Sequence, residues 1–167
     1  MTTLPTRDGP TPGSASNGPA RGALSDGPTR GPLSDGPTPY DIGPLRLERG
    51  GRLPGVRLAV ETWGTLSPER DNAILIEHAL TGDSHVSSAP DAAEGTFLAS
   101  PGWWEGLLGP GCPIDTDRWF VVCANVLGGC KGSTGPASAA PDGRAYGSRF
   151  PFITVRDMVR AEVLLSD

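Results

Sequence analysis

The segment His78-Ala79-Leu80-Thr81-Gly82 follows directly on a short apolar run, Asn72-Ala73-Ile74-Leu75-Ile76-Glu77. It therefore falls just beyond the C-terminal end of a strand, where open α/β sheets place their ligands. Main-chain N–H groups in such a turn can hold the negative oxygen of a tetrahedral intermediate, and losing one donor of that kind costs about 3 to 4 kcal/mol. The same residues also read as a tight turn that needs Gly82, and position alone favours that plainer reading. His78 and His85, with Asp83 between them, invite a metal site. Zinc wants three or four ligands at rigid spacing, and no cysteine pair accompanies these two histidines, so no metal is expected. His78 is expected to hydrogen-bond within the strand-end loop, and His85 to serve as polar lining.

A second candidate is Gly128-Gly129-Cys130-Lys131-Gly132, which has the outline of a nucleophile elbow with cysteine in place of serine. An elbow presents its nucleophile only when a helix follows the turn. Here Ser133-Thr134-Gly135-Pro136 follows, then Pro141-Asp142-Gly143, and no helix starts. The segment reads instead as a glycine-rich loop whose backbone approaches a ligand or another part of the chain. Gly-x-Ser-x-Gly occurs nowhere, so these residues offer no Ser-His-Asp triad. Trp103, Trp104 and Trp119 either line a pocket or fill core beneath long loops. Lys131, Arg144 and Arg149 either meet an anionic substrate or solvate the surface.

The elements that must position these residues follow from periodicity. Leu45 to Glu48 alternates apolar with charged, Gly50-Gly51 interrupts, and Val56 to Trp63 resumes, which predicts a half-exposed hairpin. Ser67-Pro68 marks the next turn. The runs from Asn72 and from Trp119 to Val126 read as strands covered on both faces. Between them, and again from Leu127 to Pro151, lie loops long enough to carry function. Thr154 then offers an N-cap, with Asp157 as a weaker capping-box partner. Val155, Val159 and Val163, beside Met158 and Leu165, give that helix an apolar face to bury. The order predicts an α/β fold whose parallel sheet begins with an antiparallel hairpin.

Composition divides the chain at residue 40. Met1 to Tyr40 carries eight Pro, seven Gly and almost no large aliphatic residues, so it cannot bury enough apolar surface to offset its chain entropy. It is expected to be a disordered leader, with residues 41–167 as the folded domain. The leader's three Arg balance its three Asp, leaving the net charge of −5 to the domain. Without a basic cluster, neither nucleic acid nor an anionic membrane is an expected partner. No export signal or spanning helix is visible, which points to the cytoplasm. Three cysteines without a C-x-x-C pair fit reduced thiols.

Taken together, four stretches strongly resemble the homoserine O-acetyltransferase family, α/β-hydrolase-fold enzymes of methionine biosynthesis. They are His78 to His85, Gly102 to Gly111, Pro113 to Cys123, and Asn125 to Pro136. The likeness spans about Leu45 to Asp167. It implies the N-terminal part of an α/β-hydrolase fold and acyl transfer from acetyl-CoA, as co-substrate, to the hydroxyl of L-homoserine through an acyl-serine. It also implies that the backbone at Leu80 is an oxyanion-hole donor. Ala79, Thr81, Gly82, Asn125, Leu127, Gly128 and Gly129 are then pocket lining. The family's serine, aspartate and histidine would lie beyond Asp167, so no catalytic residue is expected within this chain and the 167 residues alone are expected to be inactive. No bound cofactor is implied, and a homodimer is. Alternatives are a related acyltransferase or esterase that uses succinyl-CoA or serine, or a non-catalytic binding module.

Overall fold

The computed structural model describes residues 36–89 and 91–166, so all of the expected leader up to residue 35 lies outside the described residues. A long hairpin opens the fold: β1 (Thr38–Arg46) pairs antiparallel with β2 (Arg52–Trp63). Both strands begin earlier than the alternation alone indicated, and β1 begins inside the stretch assigned to the leader. Thr38 to Tyr40 are drawn into the sheet because they lie opposite Leu58 to Val60. Pro39 is tolerated there because β1 is an edge strand. Gly50 and Gly51, both at positive φ, make the turn. Gly43, also at positive φ, sits where the register shifts, with its amide held by the Asp41 carboxylate at 2.9 Å.

Four strands and two long loops follow before the helix. β3 (Ala73–Ile76) and β6 (Phe120–Ala124) run parallel. The two-residue strands β4 (Leu108–Gly109) and β5 (Ile114–Asp115) pair with each other and close a small loop between them. The main sheet has the order β1-β2-β6-β3, with β6 antiparallel to β2. β6 is central and buried throughout, as its apolar run required. Its side chains alternate between two cores. Phe120, Val122 and Ala124 join Leu53, Leu58, Leu127 and Leu165 on one face. Val121 and Cys123 join Trp63, Ile76, Val86 and Leu108 on the other.

The helix α1 (Val155–Ser166) starts as its sequence indicates. Thr154 Oγ1 accepts from the Asp157 amide at 3.3 Å, and Asp157 Oδ2 accepts from the Thr154 amide at 3.0 Å, a reciprocal capping box. Asp157 is wholly buried, and its other oxygen accepts from the Glu48 amide at 2.8 Å, tying the helix to the β1–β2 turn.

Two expectations about burial are corrected. Val155, Val159 and Val163 do not face the sheet; Val155 is 73% exposed, and the buried stripe is Asp157, Ala161, Glu162 and Leu165. The two stripes are neighbours on the helix, and the Asp157–Glu48 bond lies on the one that packs. Likewise β3 is not covered on both faces, because it forms the sheet edge and Leu75 is exposed. Leu75, Val126, Val155, Val159 and Val163, with Glu162, line one open groove of about 420 Å³ between β3 and α1.

Candidate active site

Two loops leave the C-terminal ends of the adjacent parallel strands β3 and β6, and His78 joins them. Its Nε2 accepts from the Val126 amide at 3.2 Å, while Nδ1 donates to the Ala79 carbonyl at 2.7 Å. That pairing requires the proton on Nδ1. The Gly82 amide donates to the Ala79 carbonyl at 2.8 Å and closes a four-residue turn, so the tight turn is present. A Cβ on Gly82 would lie 3.2 Å from that carbonyl oxygen. Within the turn, the amides of Leu80 and Thr81 have no acceptor among the described residues. The Leu80 side chain is 96% exposed. Two unsatisfied N–H groups at a strand's C-terminal end are what an oxyanion site needs.

The loop after β6 owes its glycines to packing. Ser133 Oγ accepts from the Ala59 amide at 2.9 Å and donates to the Asn125 carbonyl, and Thr134 exchanges two bonds with Arg57. The loop thereby covers the stretch of β2 that precedes its pairing with β6. A Cβ on Gly135 would lie 2.6 Å from the Gly129 carbonyl oxygen, and one on Gly129 would lie 2.8 Å from Asn125 Nδ2. Among the described residues no α-helix begins before Val155, and Cys130 is exposed, so the elbow-like motif is a close-packed loop.

The structure places the remaining candidates as follows. Ala79 and Thr81 are exposed beside Leu80, while Gly128 and Gly129 are partly covered. Leu127 is a core residue: its side chain packs with Leu58 and Ala161, so only its backbone is available to a pocket. Asn125 is buried, and its Nδ2 has no hydrogen-bond partner among the described residues. Lys131 Nζ lies 3.7 Å from Asp83 Oδ2, a second link between the two loops. Arg149 is committed to Asp142 at 2.7 Å. Trp119 packs on the second core, whereas Trp103 and Trp104 are half-exposed, with Trp103 Nε1 donating to the Asp83 carbonyl.

His85 is not polar lining. It is 5% exposed, and its Nδ1 lies 2.8 Å from Oε2 of Glu61, itself 8% exposed. Nε2 lies 2.8 Å from the Ser100 carbonyl, and Ser84 Oγ donates to the other Glu61 oxygen at 3.0 Å. Burial pushes the Glu61 carboxyl up, and the His85 and Ser84 donors pull it partly back. Burial would lower the His85 pKa, but the Glu61 carboxylate and the Ser100 carbonyl more than offset it, so the imidazole is raised. Sequence reading passed over Glu61. Its signal was a carboxylate between Ala59 and Trp63 on an otherwise apolar face of β2.

An antiparallel hairpin leading into parallel strands, with loops at their C-terminal ends and a helix packed behind, defines an α/β-hydrolase fold. Solved structures agree. A homoserine O-acetyltransferase from Bacillus anthracis superposes with a TM-score of 0.66 at 34% identity, over 75% of this chain and 34% of that one. Esterase E22 superposes with a TM-score of 0.66 at 32% identity, over 77% of this chain and 36% of that one. No family model matches the chain. Among curated relatives, the homoserine O-acetyltransferase of Thermobifida fusca is 66% identical over 122 residues, 73% of this chain and 31% of the relative. That of Nocardia farcinica is 57% identical over 126 residues, 75% of this chain and 32% of the relative. The matched stretch belongs to the homoserine O-acetyltransferase family. The chain spans about a third of the length of the curated relatives it matches.

Proposed function

We propose that these residues form the oxyanion side of an enzyme that moves acetyl from acetyl-CoA to the hydroxyl of L-homoserine. The observation that carries this reading is the Ala79–Gly82 turn. It offers the Leu80 and Thr81 amides without acceptors and is held to the neighbouring strand end by His78. In the first half-reaction a serine oxygen bonds to the acetyl carbon, the carbonyl oxygen becomes negative, and the Leu80 amide donates to it. Collapse expels the CoA thiolate, which takes up the proton that left the serine. In the second, the homoserine oxygen attacks the acyl-serine, the same amide stabilises the same oxygen, and the serine oxygen leaves with the proton that the homoserine hydroxyl gave up. The serine, its base and its orienting carboxylate are not among these 167 residues, which accordingly are proposed to be inactive alone. Cys130 does not substitute. It sits in a loop with no helix following the turn to present it as a nucleophile.

The likeness to an esterase structure favours a second reading, transfer of the acyl group to water. Succinyl-CoA as donor and serine as acceptor are further variants of the same chemistry. A cytoplasmic homodimer is the proposed setting. Among the described residues no helix is long and apolar enough to cross a membrane. A catalytically complete protein carrying these residues is to be assayed with acetyl-CoA and homoserine, with succinyl-CoA and serine, and with a simple acetate ester. O-Acetylhomoserine as main product supports the proposal; ester hydrolysis without acetyl transfer to homoserine overturns it.

A further inference from the structure

We infer that Glu61 and a doubly protonated His85 form a buried ion pair that sets the position of the 78–87 turn, and through it the Leu80 amide. The first observation is the ring's surroundings. Both nitrogens face acceptors at 2.8 Å, Nδ1 the Glu61 carboxylate and Nε2 the Ser100 carbonyl. A hydrogen on Nε2 is required by the carbonyl, so the open question is whether the proton between Nδ1 and Oε2 belongs to the histidine or the glutamate. Two neighbours assign it to the histidine, against the burial that by itself favours the neutral pair. Ser84 Oγ donates to Glu61 Oε1, which stabilises the carboxylate. Asp83, on the same loop, adds a second negative charge near the ring, itself balanced by Lys131 from the 125–136 loop. The Phe97 ring packs against the imidazole at 4.5 Å between centroids. From the 97–100 turn only the Ser100 carbonyl and hydroxyl and the Phe97 ring reach the imidazole.

The second observation is what the pair holds. Glu61 lies on β2, opposite Cys123 of the central strand, so one end of the pair is rigid. The other end belongs to the loop that carries Leu80. Around His85 that loop is pinned by the Trp103 amide to the His85 carbonyl, the Trp104 amide to the Val86 carbonyl, and the His85 amide to Asp83 Oδ1. His78 thus fixes the start of the 78–87 segment to β6, Lys131 and Trp103 hold Asp83 in its middle, and the ion pair with the Trp103 and Trp104 amides fixes its end to β2 and the 97–104 loop. Between His78 and His85 lie the turn, Asp83 and Ser84. His85 touches no reacting atom; it is a positioning residue. Two groups of opposite charge in a water-poor site attract more strongly than they do at the surface, and removing one charge leaves the other uncompensated.

The effect on turnover rests on the acyl-transfer reading, whereas the charge state of His85 does not. The test uses a catalytically complete acyltransferase carrying these residues, with ¹⁵N-labelled histidine and the His85 signals assigned from their loss in His85→Gln. Both ring nitrogens are expected to be protonated at pH 7, and Glu61→Gln is expected to move the proton loss of His85 to lower pH by about one unit or more. An unprotonated Nδ1 in the wild type overturns the ion pair. In steady-state kinetics, Glu61→Gln is expected to lower kcat roughly 10- to 100-fold with KM nearly unchanged, and to shift the alkaline fall of kcat to lower pH in step with the NMR midpoint. A lower Tm with kcat and its pH profile unmoved overturns the positioning role. A wild type that transfers no acetyl defeats the proposed function instead, and the NMR result still decides the pair.

Discussion

The Val126 amide donates to His78 Nε2 across 3.2 Å, joining residues 48 positions apart at the ends of two adjacent parallel strands. The ring spans the gap between the loops because its other nitrogen is already turned to the Ala79 carbonyl. One side chain therefore holds both the turn and its neighbour.

Replacing His78 by Ala removes both bonds. At about 1 kcal/mol net for each, unfolding free energy should fall by about 2 kcal/mol in urea titrations. In a complete enzyme the loss in kcat/KM should exceed the loss expected from stability alone. Unchanged stability and turnover would show that the bridge carries no weight.

Asp157 accepts from the Thr154 and Glu48 amides while fully buried. Burial opposes its charge, yet those amide donors outweigh it and hold the carboxyl below the usual range. A depressed acid contributes stability that is present above its unfolded pKa and is lost as pH falls through the folded one. Asp157→Ala should cost about 2 to 4 kcal/mol at pH 7, and less at pH 2 to 3. Chemical unfolding at the two pH values separates these outcomes.

Glu162 behaves oppositely. Burial first, then the nearby Glu77, push its carboxyl up to about 7, and its Oε2 has no partner among the described residues. A raised acid favours the folded state while protonated, so that stability is present below about 4.5 and is lost as pH climbs to about 7. Glu162→Gln should flatten that part of the stability–pH curve and add up to ~3 kcal/mol at pH 8. A slope unchanged by the substitution would refute the assignment.

Two glycines of the 102–106 segment should respond differently to Ala. At Gly102 a Cβ would lie 2.2 Å from the Val86 carbonyl carbon, a backbone collision that has to displace the 85–87 strand-end loop. Gly106, at φ +81°, has open space around it and faces only the conformational penalty of roughly 1 to 2 kcal/mol. Gly102→Ala should therefore cost at least twice as much by thermal or urea unfolding. Equal effects would mean that the close approach is not maintained in solution.

The exposed valines give a prediction about association. Val155, Val159 and Val163 with Leu75 leave an apolar strip beside the β3 edge, which other chains can pair with or cover. The 167-residue chain should sediment as concentration-dependent aggregates. Val159→Glu with Val163→Lys should shift it toward monomer without loss of helix signal. A wild-type chain that stays monomeric across that concentration range would count against the strip.

Much of this was legible locally. Alternation around Gly50-Gly51 marked the hairpin, Thr154 and Asp157 marked the helix start, and the residues after Cys130 ruled out an elbow because turn-forming residues stand where a helix has to begin. Those features depend on neighbours a few positions apart. His85 and Leu127 were misplaced because their partners are distant: Glu61 lies 24 residues before the histidine, and Leu127 is drawn inward by a helix that begins 28 residues later.

By itself, then, the sequence determined the hairpin, the two parallel strands and the helix in their order, the two strand-end loops and the family. All of these follow from short-range periodicity, turn chemistry and motif. Only the tertiary structure decided which stripe of α1 is buried and that His85 pairs with Glu61 beneath the Leu80 turn. It also decided that the glycines after β6 serve a close packing. Each of those outcomes depends on which of several equally apolar or polar surfaces come into contact, and contact is settled by the whole chain's packing rather than by any local stretch of it.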